Sequence, residues 1–257
     1  MVLAVALLFH ALTSLARDDT SSSSFANFDA RARNGDNLSV IFFGGPLTRG
    51  DGASDAERTS FRALLKNYLK EKYPASHFVF QDSVVSEAGS KFGMFLVDRD
   101  VLAHNPDLVF IDFTIADNLE GTDSKTLGCY ERILNDLTRN NVPIVQIILG
   151  TKNYFGPEWT HLGPPRYRDH LELGKLYHAA TGNSFPFIQN FLRTKPHQRD
   201  QIWPEDKTDP NDFGHQIIFE VTRDALAKAV RDQRVGNLPL QSVFAGQFKN
   251  RFQMFPA

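Results

Sequence analysis

The chain has 257 residues, 42% of them hydrophobic, and a formal net charge of -2 at pH 7. This size and composition suit a single α/β domain with a substantial core. There is no excess of Lys and Arg to neutralise phosphates, and no basic run is long enough to follow a nucleic-acid backbone. Nucleic acid is therefore excluded as an expected partner.

The first 16 residues, MVLAVALLFHALTSLA, are an apolar run that ends with the small residues Ser14 and Ala16. The run is too short to span a bilayer comfortably, and its ending suits signal peptidase. Residues 1–16 are therefore predicted to be a signal peptide, with the mature chain beginning near Arg17 and entering the secretory pathway. An ordinary helix or a misplaced start is the alternative, because no Lys or Arg precedes the apolar core.

Two further segments flank the predicted domain, which covers residues 38–233. Residues 17–37 include a serine run and show no periodicity, so they are predicted to be a flexible lead. Residues 234–257 form a Phe-rich tail, ending FAGQFKNRFQMFP before the last residue. This tail either packs on the domain's own surface or docks onto a protein partner, with contact to a membrane less favoured.

Short apolar runs alternate with amphipathic segments through the rest of the chain, which predicts a parallel sheet covered by helices on both faces. The strand candidates are residues 38–43, 78–82, 108–113 and 144–149. The helix candidates are residues 60–72, 124–140 and 213–231.

Loops at the carboxyl ends of parallel strands usually form the binding site of such a domain. Residues 44–52, 114–121 and 203–212 are expected to open on one rim for this reason. The sequence contains no P-loop or GxGxxG fingerprint and no spacing typical of a dedicated metal site. No cofactor and no metal ion are therefore predicted.

Ordered sequence blocks in these loops resemble the SGNH (GDSL-like) hydrolases, especially their carbohydrate-esterase-like members. The first block, GGPLTRG at residues 44–50, corresponds to GGSxTxG in that family. Further blocks are ERTSFRALL at 57–65, PDLVFIDFT at 106–114, ILGTK at 148–152 and DPNDFG at 209–214. The resemblance implies a flavodoxin-like three-layer α/β/α sandwich and descent from an esterase.

The same resemblance implies that the catalytic positions are altered. In the family, a serine of the first block attacks an ester, a histidine takes its proton, and an aspartate three residues earlier orients the histidine. Pro46 occupies the serine position and Asp209 the histidine position, so that Asp206 is the only triad residue retained. Ala116 stands where an oxyanion-binding asparagine is expected. We therefore expect a protein that is inactive as a serine esterase and has a binding or structural role, with carbohydrate as a candidate ligand.

An active esterase with substituted catalytic residues is the alternative, and Ser83, Ser86, Ser90 and His215 are its candidates. His215 is expected to lie inside a helix, away from the missing histidine's place.

Two other groups have competing interpretations. Glu87, Asp117, Asp206 and Asp209 either attract a cation or remain solvated, with Asp117 and Asp212 as helix N-caps. The aromatic residues of two loops either stack on a flat ligand such as a sugar or pack beneath the loops. These residues are Tyr154, Phe155, Trp159, Tyr167 and Trp203.

Overall fold

The structure is a computed structural model that describes residues 24–84, 89–156, 163–204 and 206–244. In this part of the chain, five parallel strands form one sheet. The strands are β1 (Asn37–Gly44), β2 (His77–Val84), β3 (Leu108–Asp112), β4 (Ile144–Ile148) and β5 (Ala180–Asn183). Their order across the sheet is β2-β1-β3-β4-β5.

Helices connect these strands, as the alternating pattern predicted. The α-helices are α1 (Phe25–Asn34), α2 (Pro46–Arg49), α3 (Phe61–Lys72), α4 (Gly89–Leu96), α5 (Ser124–Arg139), α6 (Pro165–Leu176), α7 (Phe185–Thr194) and α8 (Asp212–Arg231). The three predicted helices and four predicted strands are confirmed with small shifts of their ends.

The two faces of the sheet bury separate hydrophobic clusters because neighbouring strand residues point in opposite directions. Val40 and Phe42 of β1 pack in a cluster with residues of α1, α3 and α8. Ile41 and Phe43 pack in a second cluster with residues of α4, α5 and α6. The predicted three-layer α/β/α architecture is therefore confirmed.

Two strands, β2 and β5, do not match the sequence-based prediction. The edge strand β2 is only partly covered, and its Val79 is 64% exposed. The strand β5 was not predicted, because its residues Ala-Thr-Gly-Asn form no apolar run. A Cβ at Gly182 would lie 2.6 Å from the Cα of Thr222 in α8, so glycine permits this strand to contact the helix closely.

The prediction of a flexible lead is wrong for residues 24–37. Ser24 caps α1 by accepting a hydrogen bond from Asn27 N, and Phe25 and Phe28 are buried in the core. The helix is stabilised by these tertiary contacts, which its own residues did not reveal. Residues 17–23 and the predicted signal peptide lie outside the described residues.

The beginning of the predicted tail packs on the domain, so the domain does not end at residue 233. The Phe25 N–H donates to Arg234 O at 3.0 Å, and the Asn237 N–H donates to Tyr177 O at 3.1 Å. The backbone N–H groups of Val243 and Phe244 donate to the buried Glu131 carboxylate. Residues 245–257 lie outside the described residues.

No helix within residues 24–84, 89–156, 163–204 and 206–244 is both long and apolar enough to cross a membrane.

Phe28→Ala is expected to lower the free energy of unfolding by about 3 kcal/mol because it removes a buried ring and leaves a cavity. Asn27→Ala, at an exposed position of the same helix, is the matched control and should change stability little. Urea unfolding measures both variants. Equal stabilities for the two would contradict the packed position of α1.

Candidate active site

The loop after β1 places Pro46 where the family resemblance expects a nucleophile. Pro46 is the first residue of α2, and Gly45 precedes it in an extended conformation. A helix tolerates proline at this position because the first N–H groups have no partner within the helix. Pro46 therefore supports the local structure but supplies neither a hydroxyl nor an N–H to the site.

A second loop brings Ala116 to the same place. A Cβ at Gly45 would lie 3.5 Å from the Ala116 Cβ, so the loops after β1 and β3 touch. Both Pro46 and Ala116 are partly exposed. The methyl group of Ala116 cannot donate a hydrogen bond, so the expected oxyanion donor is missing from this contact.

The start of α4 completes this part of the rim. The Ser90 N–H donates to Asp117 Oδ1 at 2.6 Å, and the Ser90 hydroxyl donates to Thr126 O at 3.2 Å. Gly89 has a φ of 58°, and a Cβ there would lie 2.3 Å from Asp117 Oδ1. The Asp117 side chain thus holds the start of α4 by accepting from the backbone N–H of Ser90. The prediction that Asp117 is a helix N-cap is wrong.

Ser90 is fully buried and bonded inside the fold, which removes it as an accessible nucleophile. Ser83 is 8% exposed at the end of β2. Ser86 and Glu87 lie outside the described residues. Ser83 and Ser90, the two described candidates for a substituted nucleophile, are therefore both buried.

Asp209 lies beside the loop that continues from Pro46. A Cβ at Gly52 would lie 3.1 Å from the Asp209 Cβ. Asp209 is partly buried, and its pKa is raised first by burial and then by the Asp51 carboxylate. Asp206 is exposed, and no hydrogen bond joins it to a described residue. Asp209 therefore places an acid where the family resemblance expects a histidine. Asp206 makes no hydrogen bond to Asp209.

His215 has a structural role, as its helical position predicted. It is buried in α8, where Nδ1 accepts a hydrogen bond from Phe61 N and Nε2 lies 3.0 Å from Asp51 O. These partners are satisfied when the neutral ring carries its proton on Nε2. Burial lowers the pKa of His215, which favours that neutral form.

The prediction that Asp212 is a helix N-cap is wrong. Asn211 is the N-cap and accepts hydrogen bonds from Phe213 N and Gly214 N. Asp212 instead accepts from Ser54 N at 2.7 Å and from Thr59 Oγ1 at 2.7 Å. It thereby attaches the loop between α2 and α3 to α8, on the side of the sheet where Asp209 lies.

A buried carboxyl that the sequence did not predict lies directly beneath the loop after β1. Asp112, at the end of β3, is 3% exposed and accepts a hydrogen bond from Thr48 Oγ1 at 3.1 Å. Burial raises its pKa to about 7, Asp117 contributes in the same direction, and Thr48 opposes the shift. Asp112 therefore supports the loop after β1 through its bond to Thr48 and is shielded from solvent.

A second missed group lies deeper. Asp117 Oδ2 and His170 Nε2 are 3.3 Å apart, and both side chains are almost completely buried. The His170 ring stacks on Tyr130 with centroids 3.8 Å apart, and burial lowers its pKa although Asp117 opposes this. Nothing in the spacing of Asp117 and His170 indicated this pair, because α6 brings them together only in the folded chain.

The aromatic candidates of the two loops are mainly packing residues. Trp203 is fully buried and Tyr167 is 7% exposed. The Phe155 ring lies 5.1 Å from the Trp203 ring and 4.9 Å from the Phe185 ring. Trp159 lies outside the described residues. Phe213, four residues after Asp209 in the sequence and in the first turn of α8, is 40% exposed.

The carboxylates of this rim do not form a metal centre within the described residues. No group of three or more His, Cys, Asp or Glu side chains there has an arrangement that could hold a metal ion. Asp117 Oδ1 accepts from Ser90 N, Asp117 Oδ2 lies against His170, and Asp206 is exposed to solvent.

Comparison with solved structures shows that the chain has the fold of SGNH (GDSL-like) hydrolases. A two-domain esterase (CEX) active on acetylated mannans, co-crystallised with mannopentaose, matches with a TM-score of 0.70 and 21% identity over 84% of this chain. The match covers 56% of that esterase, so this chain spans little more than half its length.

Two further structures resemble the chain. The acetyl xylan esterase AlAXEase matches with a TM-score of 0.58 and 18% identity, over 73% of this chain and 99% of the esterase. A GDSL-like lipase from Parabacteroides merdae matches with a TM-score of 0.58 and 14% identity, over 75% and 97% of the two chains. No protein-family description and no curated protein match the sequence.

Asp112 is expected to make stability depend on pH. An unfolded Asp has a pKa of about 4, so between about pH 4 and about pH 7 the folded state binds more protons than the unfolded state. The contribution of Asp112 to the free energy of unfolding should therefore fall as pH rises through this interval, by up to about 1.4 kcal/mol per pH unit.

Asp112→Asn keeps an oxygen for Thr48 but cannot titrate, so it should remove this contribution, and the stability of the wild type relative to the variant should fall as pH rises. Urea unfolding at several pH values measures the difference between the two proteins. Parallel pH profiles for the wild type and the variant would contradict a protonated Asp112.

Proposed function

We propose that the protein is an SGNH-fold protein without serine-esterase activity that binds carbohydrate at the carboxyl edge of its sheet. Pro46 at the first position of α2 is the observation that supports this most strongly, because no nucleophile can be generated from that residue. Ala116 and Asp209 remove the oxyanion donor and the base in addition. Each loss alone would lower an esterase rate by about a hundredfold or more.

Carbohydrate is the proposed ligand because of the groups that remain at the rim. The Phe213 ring is 40% exposed and is 5.7 Å from the Phe191 ring, which gives an apolar surface on which a sugar ring can stack. Asp206 and Asp209 supply carboxylate oxygens that can accept hydrogen bonds from hydroxyl groups. The structural relatives active on acetylated mannans and on acetyl xylan support the same ligand class.

The purified protein is expected not to hydrolyse short acyl esters above a denatured control and not to react with a serine-directed organophosphonate. Pro46→Ser alone should restore little activity, because the new hydroxyl would have no base and no donor from residue 116. The triple variant Pro46→Ser, Ala116→Asn and Asp209→His supplies all three groups and should exceed the single variant. Thermal unfolding establishes that each variant is folded.

Robust ester hydrolysis by the unmodified protein would contradict the proposal that it lacks serine-esterase activity. If Ser83→Ala, Ser86→Ala or Ser90→Ala then abolished that hydrolysis, the protein would be a rewired esterase.

Binding of carbohydrate is tested with mannopentaose and xylopentaose by calorimetry. Phe213→Ala is expected to weaken binding about three- to tenfold because it removes the stacking surface. Leu238→Ala truncates a side chain of similar exposure, 43% against 40%, and should leave binding unchanged. Absence of binding to both oligosaccharides, or equal affinity for the wild type and Phe213→Ala, would contradict a carbohydrate site at this rim.

A further inference from the structure

A cleft of about 430 Å³ lies away from the candidate active site, next to the beginning of β5. It is bordered by the end of α6, by α8 and by the segment that follows α8, through Lys175, Lys228 and Arg234. Because β5 is parallel to the other strands, its beginning and the candidate site are at opposite edges of the sheet. The cleft is therefore a separate place on the domain.

Among the described residues that line this cleft, every charged side chain is basic. Lys175, Lys228 and Arg234 come from three different segments, and no Asp or Glu is among the lining residues. This concentration contrasts with the formal net charge of -2 for the whole chain. A concave surface with charge of one sign raises the local concentration of ligands of the opposite sign.

The two lysines have acidic neighbours outside the cleft, but these pairs are weak competitors for a ligand. Lys175 Nζ is 2.6 Å from Glu172 Oε1, and both side chains are 70% exposed. Lys228 pairs with Asp232, with 58% and 37% of the side chains exposed. Exposed pairs of this kind contribute about 0–1 kcal/mol, so either ammonium can turn towards an anion at small cost.

Arg234 is held more firmly. Its Nη1 donates to Ala179 O at 2.7 Å, which fixes one side of the guanidinium at the beginning of β5. The other N–H groups of the fork have the geometry that binds two oxygens of a phosphate or sulfate group. His178 and Thr181 add polar groups to the lining.

We propose that this cleft binds a small molecule bearing a phosphate or sulfate monoester. The anionic group would lie between Arg234 and the two lysines, and the polar body of the ligand would extend towards Thr181. A volume of about 430 Å³ exceeds what a free inorganic ion needs and falls within the usual range of small-molecule sites. The proposal concerns a different surface from the proposed carbohydrate site and does not depend on it.

Calorimetry with the full chain at constant ionic strength tests the proposal with glucose 6-phosphate, glucose 6-sulfate, glucose and inorganic phosphate. One or both esters should bind, and glucose should not. Lys175→Gln and Lys228→Gln should each weaken binding of the ester about tenfold, because each removes a charged hydrogen bond. Ala225→Glu places a carboxylate in the cleft and should abolish binding.

Lys125→Gln is the matched control, since it removes one exposed positive charge from α5, outside the cleft lining, and should leave ester affinity unchanged. Equal weakening by Lys125→Gln and Lys228→Gln would overturn the site in favour of general charge attraction. Inorganic phosphate that binds as tightly as both esters would overturn the monoester as ligand. Absence of binding by both esters would overturn the proposal as a whole.

Discussion

The close contact between the ends of β1 and β3 is the constraint on which the candidate site depends. A side chain at Gly44 would lie 2.5 Å from both Asp112 O and Thr48 Oγ1, so the strands can end together only with glycine at this position. The Gly45 N–H then donates to Asp112 O at 2.9 Å, and Thr48 bonds to the Asp112 carboxyl. The loops that hold Pro46 and Ala116 both begin from this junction.

The atoms that maintain this junction differ from the atoms that an esterase would use for chemistry. The junction uses glycines, backbone N–H groups and the buried Asp112, whereas catalysis would use side chains that face the rim. Pro46 and Ala116 are partly exposed, and their side chains take no part in the hydrogen bonds of the junction. The fold can therefore remain stable when side chains at the rim change, which is what the proposed loss of esterase activity requires.

The sequence predicted those strands and helices whose apolar pattern is visible within the segment itself. The apolar runs of β1, β3 and β4 and the amphipathic stripe of α3 were recognisable, whereas α1 and β5 depend on contacts with distant segments. The same distinction applies to the site. The motif blocks predicted that Pro46 and Ala116 lie in neighbouring loops, but the Asp117–His170 pair could not be predicted because packing alone determines it.

The ligands proposed for the two edges of the domain differ because the charged residues at those edges differ. Asp206 and Asp209 at the carboxyl edge repel anions, while their oxygens can accept hydrogen bonds from a neutral polyol. Lys228 and Arg234 at the opposite edge attract anions. The proposed carbohydrate is uncharged, so it would exert no direct charge–charge attraction on an anion in the opposite cleft. Occupation of both sites by one phosphorylated or sulfated oligosaccharide would therefore require physical bridging along the surface, whereas separate ligands could bind independently.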